Sequence, residues 1–480
     1  MHSAKQSVRN LLPLEKKDKN WQFLLVLLYV WLSYTDSKQK TGDWEMSFEK
    51  NRWSAEKNRV NQNDVSVMQQ GTDMGTLRLN VMSAVRDVPI ENAVVQISYT
   101  GDPDSEIQTL RPDPSGRTEV ISLKAPLLEY SLTPGEVQPY AEYTFRVSAE
   151  GFETITLSGS EIFAGELSLQ DIRMRPIREQ EIPDIVVIPD HTLYGSYPPK
   201  IAEEEIKPIN ISGEIVLSRV VVPEFVIVHD GTPRDTTASD YYVRYKDYIK
   251  NVASSEIYST WPRAALEANI LAIMSFSLNR VYTEWYRNKG YNFTITSSTA
   301  FDQKWIYGRN IFESISEVVD DLFNSYLSRP NVKQPILTQY CDGNRVICPN
   351  WMSQWGSKNL ADQGYSAIEI LRYYYGDSIY VNTAEEVAGI PVSWPGYNLT
   401  VGSSGDAVRQ FQEQLNAISN NFPLIPKIAV DGIFGPATKN AVEVFQRVFD
   451  LTPDGIVGRR TWNKIQEIYV GVTRIAELNP

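Results

Sequence analysis

Hydrophobic and polar positions change their period twice along this chain. From Gly75 to Pro176 the period is that of strands. Thr76–Val81, Ala93–Tyr99 and Tyr143–Ala149 alternate apolar and polar side chains, and Gly101-Asp102-Pro103, Pro112–Gly116 and Glu150-Gly151 mark turns between strands. Short strands at this spacing predict a small β-sandwich. No cluster of catalytic residue types stands out in it. From Ile177 to Pro223 prolines recur, Glu203–Glu205 is acidic and helical periodicity is weak. This predicts a connector, with Ile185–Ile188 and Glu214–Val222 as isolated strands. A long, proline-punctuated connector invites proteolysis.

Beyond Glu224 the period lengthens to that of helices. Tyr245–Ile257 reads as one helix. Trp261-Pro262 opens a second, with Pro262 at its first position, running to about Asn288. Its Leu266, Ile270, Ile273, Met274, Leu278 and Val281 fall nearly all round, which predicts burial. Asn310–Leu327 is amphipathic, and Ser366–Tyr375 is a shorter helix stopped by Gly376. After Tyr397 a small helical unit follows. Asp406–Ile418 forms one helix, and Pro436 and Thr461 start two more. Before each of these two comes a similar loop, Asp431-Gly432-Ile433-Phe434-Gly435 and Asp454-Gly455-Ile456-Val457-Gly458. Glycine there supplies the positive φ of a tight turn.

Composition narrows the picture. With 480 residues, 42% hydrophobic and 22% charged, the chain is a folded protein of several domains. A net charge of −13 argues against nucleic acid as a partner. Aromatic residues gather between Tyr241 and Tyr380 beside polar ones, a pattern that suits sugar stacking as well as core filling. His2, His191 and His229 are too few for a zinc enzyme built on several histidines. Cys341 and Cys348 leave a disulfide, a share in a zinc site and two free thiols open, with a structural staple preferred. Near the start, Trp21–Tyr34 is apolar behind Lys16, Lys17 and Lys19, yet short of the roughly 20 residues of a membrane span. A signal segment, a short anchor and a start assigned too far upstream all fit. Thr35–Asp73 reads as a linker or disordered tail.

Two stretches carry family resemblances. Gly405-Asp406-Ala407-Val408 with Gln412 and Leu415, then Asp431–Thr438, Val442, Phe445-Gln446 and Asp454–Gly458, resemble the peptidoglycan-binding domain of wall hydrolases. On this likeness Asp431, Gly432, Phe434, Gly435 and Asp454 are its signature positions. Val252-Ala253-Ser254-Ser255-Glu256, Trp261-Pro262 and Ala264–Ala268, then Ile295–Thr299 with Tyr307-Gly308, then Met352–Gly356 with Gly364-Tyr365, resemble the catalytic domain of SpoIID. From about Gly75 onward the chain is similar to the SleC-type clostridial spore cortex-lytic enzymes. It departs from the broader SpoIID pattern at Met274, where arginine is common, and at Asn269, where glutamine is common. It also lacks the histidine frequent near Tyr340-Cys341.

The resemblance implies a multidomain protein with five segments: residues 1–73 signal-like, anchor-like or disordered, a β-sandwich-like prosegment over 74–176, a connector with the processing region over 177–223, a mainly helical α+β catalytic domain over 224–390, and a small all-α wall-binding domain over 397–470. It implies a lytic transglycosylase that cuts spore-cortex glycan strands during germination. The product would be 1,6-anhydro-muramic ends. The protein would be made as a zymogen for an activating protease, in the cortex and coat region outside the spore core. Its catalytic acid would be Glu256, with Tyr307, Ser353, Gln354 and Trp355 touching the sugar. No cofactor is implied, with a zinc site at the Cys341 and Cys348 positions the alternative that the resemblance leaves open. From the residues alone, Glu256 reads as a solvated helix-end carboxylate, and most of Asp302, Asp320, Asp321 and Glu284 as solvated spares. A wall-binding enhancer of an amidase and a hydrolytic muramidase or glucosaminidase remain the competing functions.

Overall fold

In the computed structural model, the described residues are 72–473 without 86–87, 103–104, 178–183, 208–218, 385 and 389–394. The apolar stretch Trp21–Tyr34 and nearly all of the polar tail after it, to residue 71, lie outside them. No helix among the described residues is long and apolar enough to cross a membrane.

Eight strands form the N-terminal module: β1 (Asp73–Ser83), β2 (Val94–Tyr99), β3 (Gln108–Leu110), β4 (Ile121–Ala125), β5 (Ala141–Ser148), β6 (Ile155–Ile162), β7 (Leu167–Met174) and β8 (Asp184–Val187). One sheet has the order β3-β2-β5-β6-β8; the other runs β7-β1-β4 and takes Ile311–Phe312 of the central region as its outer strand. Period-2 sequence becomes period-2 burial. In β4, Ile121, Leu123 and Ala125 are buried while Ser122 and Lys124 face water. Inward residues of both sheets, such as Leu77, Val95, Phe145 and Ile172, share one cluster. Each such side chain contributes roughly 1.5–3 kcal/mol.

Five helices build the central region: α1 (Tyr245–Glu256), α2 (Arg263–Tyr282), α3 (Glu313–Leu322), α4 (Gln354–Asp362) and α5 (Ala367–Tyr375). The all-round apolar α2 is the hub, and the other four pack on it. Beside them Phe225–His229 pairs with Asp240–Arg244 and with Ile295–Thr296. Helix α5 has the capping box Ser366/Glu369 and ends at Gly376, φ +86°.

Two helices are shorter than their periodicity predicts. Helix α2 starts after Pro262, which is its N-cap, and stops at Tyr282, followed by Glu284 at φ +46°. The stripe from Asn310 keeps only α3, because its flanks are claimed by strands. Ile311–Phe312 pairs with β7, and Ser325–Ser328 pairs with Tyr380–Thr383.

The connector also differs from expectation. Asp184–Val187 is not isolated but adds to β6 as β8, and Val221–Val222 pairs with Glu386–Val387. Residues 214–218 of the second expected strand lie outside the described ones. Between β8 and Lys207 the connector is held down on the central region. Ile201 N–H donates to Ala300 O at 2.8 Å, Leu337 N–H to Glu205 O at 2.8 Å, and Arg329 clamps the Glu205 carboxylate. Prolines prevent a helix there, but tertiary hydrogen bonds replace local ones.

The C-terminal module is α6 (Asp406–Ser419), α7 (Pro436–Val448) and α8 (Arg459–Thr473) around Phe411, Leu415, Phe434, Phe445 and Trp462. Its internal echo is physical. Gln412 Nε2 donates to Asp431 Oδ1, Ile433 O and Thr438 Oγ1, while Gly432 N–H donates back to Gln412 Oε1. Gln446 repeats every bond with Asp454, Ile456, Thr461 and Gly455. Gly432 and Gly455 have φ +74° and +69°. Both glutamines are buried at 1% exposure. Gln446→Ala therefore strands several polar groups and is expected to cost about 1–3 kcal/mol. Thermal unfolding of the variant checks this.

Candidate active site

Helix α1 ends at Glu256, and nothing around it is solvent. The residue is 0% exposed, so it is no solvated helix-end carboxylate. Lys304 N–H donates to Oε1 at 2.7 Å and Tyr340 Oη donates to Oε2. Gln354 Nε2 donates to its backbone carbonyl at 3.0 Å. Burial raises the carboxyl pKa above the usual range, opposed first by Lys200 and then by the Tyr340 and Lys304 hydrogen bonds. A carboxyl in this position holds its proton longer than one in water, as a general acid requires.

Three consecutive residues fix the floor of the site. Asp302 accepts from Arg280 Nε at 2.7 Å, Tyr286 Oη at 2.6 Å, and Thr296 N–H and Oγ1. Gln303 accepts from Tyr248 Oη and donates to Tyr340 Oη at 3.1 Å, which turns the tyrosine proton toward Glu256. Lys304 then supplies its N–H. Asn251, on α1, bonds both the N–H and C=O of Ile306 and locks this loop to the helix carrying Glu256.

Of the spare carboxylates, Asp302 and Asp320 are buried, contrary to expectation, at 0% and 8% exposure. Burial would raise Asp320, but Lys250 and Lys246 outweigh it and hold its carboxyl at about 2. Asp321 is exposed and Glu284 half-buried.

The expected sugar contacts separate. Gln354 lies against Glu256 and is fully buried, with Oε1 unpartnered. Ser353 caps α4 by accepting from Gly356 N–H at 2.9 Å. Its neighbour Gly343, φ +75°, leaves no room for a Cβ, which would fall 1.8 Å from Ser353 Oγ. Trp355 forms no open stacking wall: at 5% exposure it packs on Trp261 with ring centres 4.9 Å apart and edge-on to Tyr258. Tyr307 is 38% exposed and stacks on Tyr241. Cys341 and Cys348 are joined as a disulfide, so neither is a thiolate ligand. Among the described residues no group of three or more His, Cys, Asp or Glu could hold a metal ion.

Sequence reading missed Tyr340, Gln303, Lys200 and Tyr197. All lie far from Glu256 in sequence, and none belongs to the motif blocks. Lys200 Nζ lies 4.5 Å from the Tyr340 ring centre and donates to Asp302 O. Tyr197 also faces Glu256 and is buried, its hydroxyl unpartnered.

The N-terminal module seals the same neighbourhood. Trp261 Nε1 donates to Ser131 O at 3.1 Å and Thr260 to Ser131 Oγ at 2.8 Å. Phe163 packs on Tyr258 at 5.3 Å. Glu166 accepts from Ser314 at the same junction, and burial pushes its carboxyl up to about 7. The folded pKa exceeds the ordinary 4.5, so this group's contribution is full below pH 4.5 and is lost as pH rises through about 7. The loss approaches about 3 kcal/mol by linkage. Melting temperature is expected to fall between pH 5 and 8, less steeply in Glu166→Gln.

Residues 404–465 match the family model of the putative peptidoglycan-binding domain. The Zinc D-Ala-D-Ala carboxypeptidase of Streptomyces albus G is 45% identical over 76 residues, 16% of this chain and 28% of that protein. An uncharacterized protein in the bpoA1 3' region of Kitasatospora aureofaciens is 46% identical over 68 residues, 14% of this chain and 53% of that one. The chain thus spans about a quarter and half of these relatives. Among solved structures, the SleB N-terminal domain aligns with 16% of this chain and 99% of its own at 27% identity, TM-score 0.14. Catechol 1,2-dioxygenase from Acinetobacter sp. ADP1 aligns with 24% and 59% at 14% identity, TM-score 0.17. Likenesses this weak carry no argument. The protein is thus multidomain, and its C-terminal helical module is similar to the putative peptidoglycan-binding domain.

In that module Asp431 and Asp454 bond the turn N–H groups of Ile433 and Ile456, Phe434 is core, and Gly435 caps α7. These residues build the fold of the module.

Proposed function

We propose that the protein is a peptidoglycan lytic transglycosylase of the spore cortex, made as a zymogen and kept outside the spore core. Glu256 carries the reading. One buried carboxyl with a raised pKa protonates the glycosidic oxygen, then as carboxylate takes the proton from the muramic C6 hydroxyl that attacks the anomeric carbon. The ring closes to a 1,6-anhydro end and no water is consumed. Hydrolysis normally uses two carboxylates. The buried Asp302 and Asp320 are already committed, one to Arg280, Tyr286 and Thr296, the other to Lys246 and Lys250.

The closed site supports the zymogen. A glycan cannot approach a fully buried Glu256 whose two oxygens are both bonded. The β-sandwich prosegment seals Trp261 and Tyr258, and cleavage in the connector by an activating protease would free that face. Ser353, Gln354, Tyr307 and Trp355 then become candidates for the sugar.

The test is mass spectrometry of fragments released from purified cortex peptidoglycan by protein cut in the connector. Anhydro-muramic ends are expected, and none from Glu256→Gln. Reducing ends would make it a muramidase or glucosaminidase. No release from the cut protein, with wall binding retained, would turn the reading to an amidase enhancer.

A further inference from the structure

Connector residue Lys200 is 8% exposed, and its ammonium is enclosed by the central region. Nζ lies over the rings of Tyr340 at 4.5 Å and Phe276 at 5.2 Å and donates to Asp302 O. Tyr340 is the residue whose hydroxyl bonds Glu256 Oε2. From Thr192 onward the long-range backbone hydrogen bonds run to the central region, while just before it His191 N–H donates to Tyr140 Oη of the N-terminal module and Tyr194 packs against the same ring. Thr192 N–H donates to Ser255 O at 3.1 Å, and Arg345 donates to Thr192 O and Tyr194 O. Gln339 brackets the next stretch, donating to Ile201 O at 2.8 Å and accepting from Glu203 N–H at 2.9 Å. Glu203 is then clamped by Arg280. A lysine inside a pocket of aromatic rings has been taken out of water, and such burial has a cost unless a charge partner is close.

We propose that Lys200 is a positioning residue of the Glu256 site, its ammonium holding the carboxylate that forms when Glu256 gives up its proton, and that the connector strap from Thr192 to Glu203 belongs to the catalytic region and not to the prosegment. This rests on the reading of Glu256 as the catalytic acid. In the first half of the reaction Glu256 passes from neutral acid to anion, and the fixed cation stabilises the anion without moving. In the second half the anion regains a proton from the attacking hydroxyl, so the proton balance closes on Glu256 without a proton exchanged by Lys200. Lys304 N–H and Tyr340 Oη bond the Glu256 carboxylate, and the titratable groups that interact with it electrostatically are Tyr197 and Lys200 from the strap, Tyr248 from α1, Lys304 from the loop, and Tyr340. Lysines are thus the cations in this set, and Lys200 is the first to oppose the effect of burial on Glu256.

The assignment also constrains activation. A cut before Thr192 leaves Lys200 in place, whereas loss of the strap with the prosegment would remove it from the site.

The experiment follows the Glu256 carboxyl in the full, uncut chain by infrared difference titration, with Glu256→Gln identifying its band. It needs no substrate, so it stands apart from the test of the transglycosylase reading. Lys200→Met is expected to raise the Glu256 midpoint by at least one pH unit, a tenfold change in proton affinity, with Lys200→Arg close to the parent. The same midpoint in all three would overturn the proposal. Melting temperature controls for folding, and if Lys200→Met does not fold, Lys200→Gln takes its place. After cleavage, Lys200→Met is expected to lower kcat at least tenfold with KM nearly unchanged. An unchanged kcat, or strap residues absent from the active fragment, would also overturn it.

Discussion

Glu256→Gln is expected to abolish glycan cleavage, by at least about 10³-fold, while leaving the protein as stable as the parent or more so at neutral pH. Proton transfer by a positioned group contributes roughly 10²–10⁴, and in the proposed mechanism one carboxyl serves both proton steps. Stability moves the other way for a physical reason. Burial raises the Glu256 pKa above its unfolded value, so its contribution is full at acid pH and lost as pH rises. Glutamine cannot ionise and escapes that loss. It still accepts from Lys304 N–H and can donate to Tyr340 Oη. The paired measurements are turnover of cortex peptidoglycan by the cut protein and the melting temperature of the uncut one. A large drop in melting temperature beside the lost activity would point to a structural glutamate.

Tyr340→Phe should act on the same proton less strongly. It removes one donor to the carboxylate and keeps the ring beneath Lys200. The Glu256 midpoint should rise, and the infrared titration reads it.

The helix carrying Glu256 was visible in sequence through its apolar Tyr245, Tyr248, Ile249, Val252 and Ala253, although the fold buries its polar Lys250, Asn251, Ser254 and Ser255 as well. So was α2, which has no polar face. What stayed hidden depended on partners far along the chain. Asn310 reads as the start of a helix, yet its amide bonds both backbone groups of Glu161 and delivers Ile311–Phe312 to a sheet formed by residues almost 150 positions earlier. The proline-rich connector reads as loose because the hydrogen bonds that hold it from Ile201 to Lys207 reach residues far along the chain. Motif matching led to Glu256 and Gln354, which are in contact. It could not lead to Tyr340 or Lys200, whose roles come from where the fold puts them. The signature residues of the C-terminal module were legible as a repeat, Gln412 and Gln446 among them, but that each of these glutamines knits one loop emerges only from the bonding.

Arg280→Met should cost about 3–5 kcal/mol, the penalty for leaving buried charge without its partner. The guanidinium is fully enclosed. It holds Asp302 through Nε at 2.7 Å and Glu203 through two further nitrogens, and it donates to Phe301 O. Burial would lower the Arg280 pKa, but Asp302 and Glu203 outweigh it and keep the group charged. Burial likewise pulls Glu203 upward, yet Arg280 and Lys207 hold its carboxyl at about 2. Methionine fills the space and strands both carboxylates. Arg280→Lys should cost less, since it keeps the charge but loses the fork. Combining Arg280→Met with Asp302→Asn and Glu203→Gln should recover part of the loss, because both stranded carboxylates are then neutral and only Lys207 loses its partner. Denaturant unfolding of the four proteins measures the series, and equal losses in the single and combined variants would show that packing dominates. The effect reaches the active site through chain order. Asp302 is anchored by Arg280, Gln303 orients Tyr340, and Lys304 N–H holds Glu256. Loosening the first of three consecutive residues therefore loosens the two that set the catalytic proton, and cleavage should fall in any Arg280→Met protein that remains folded.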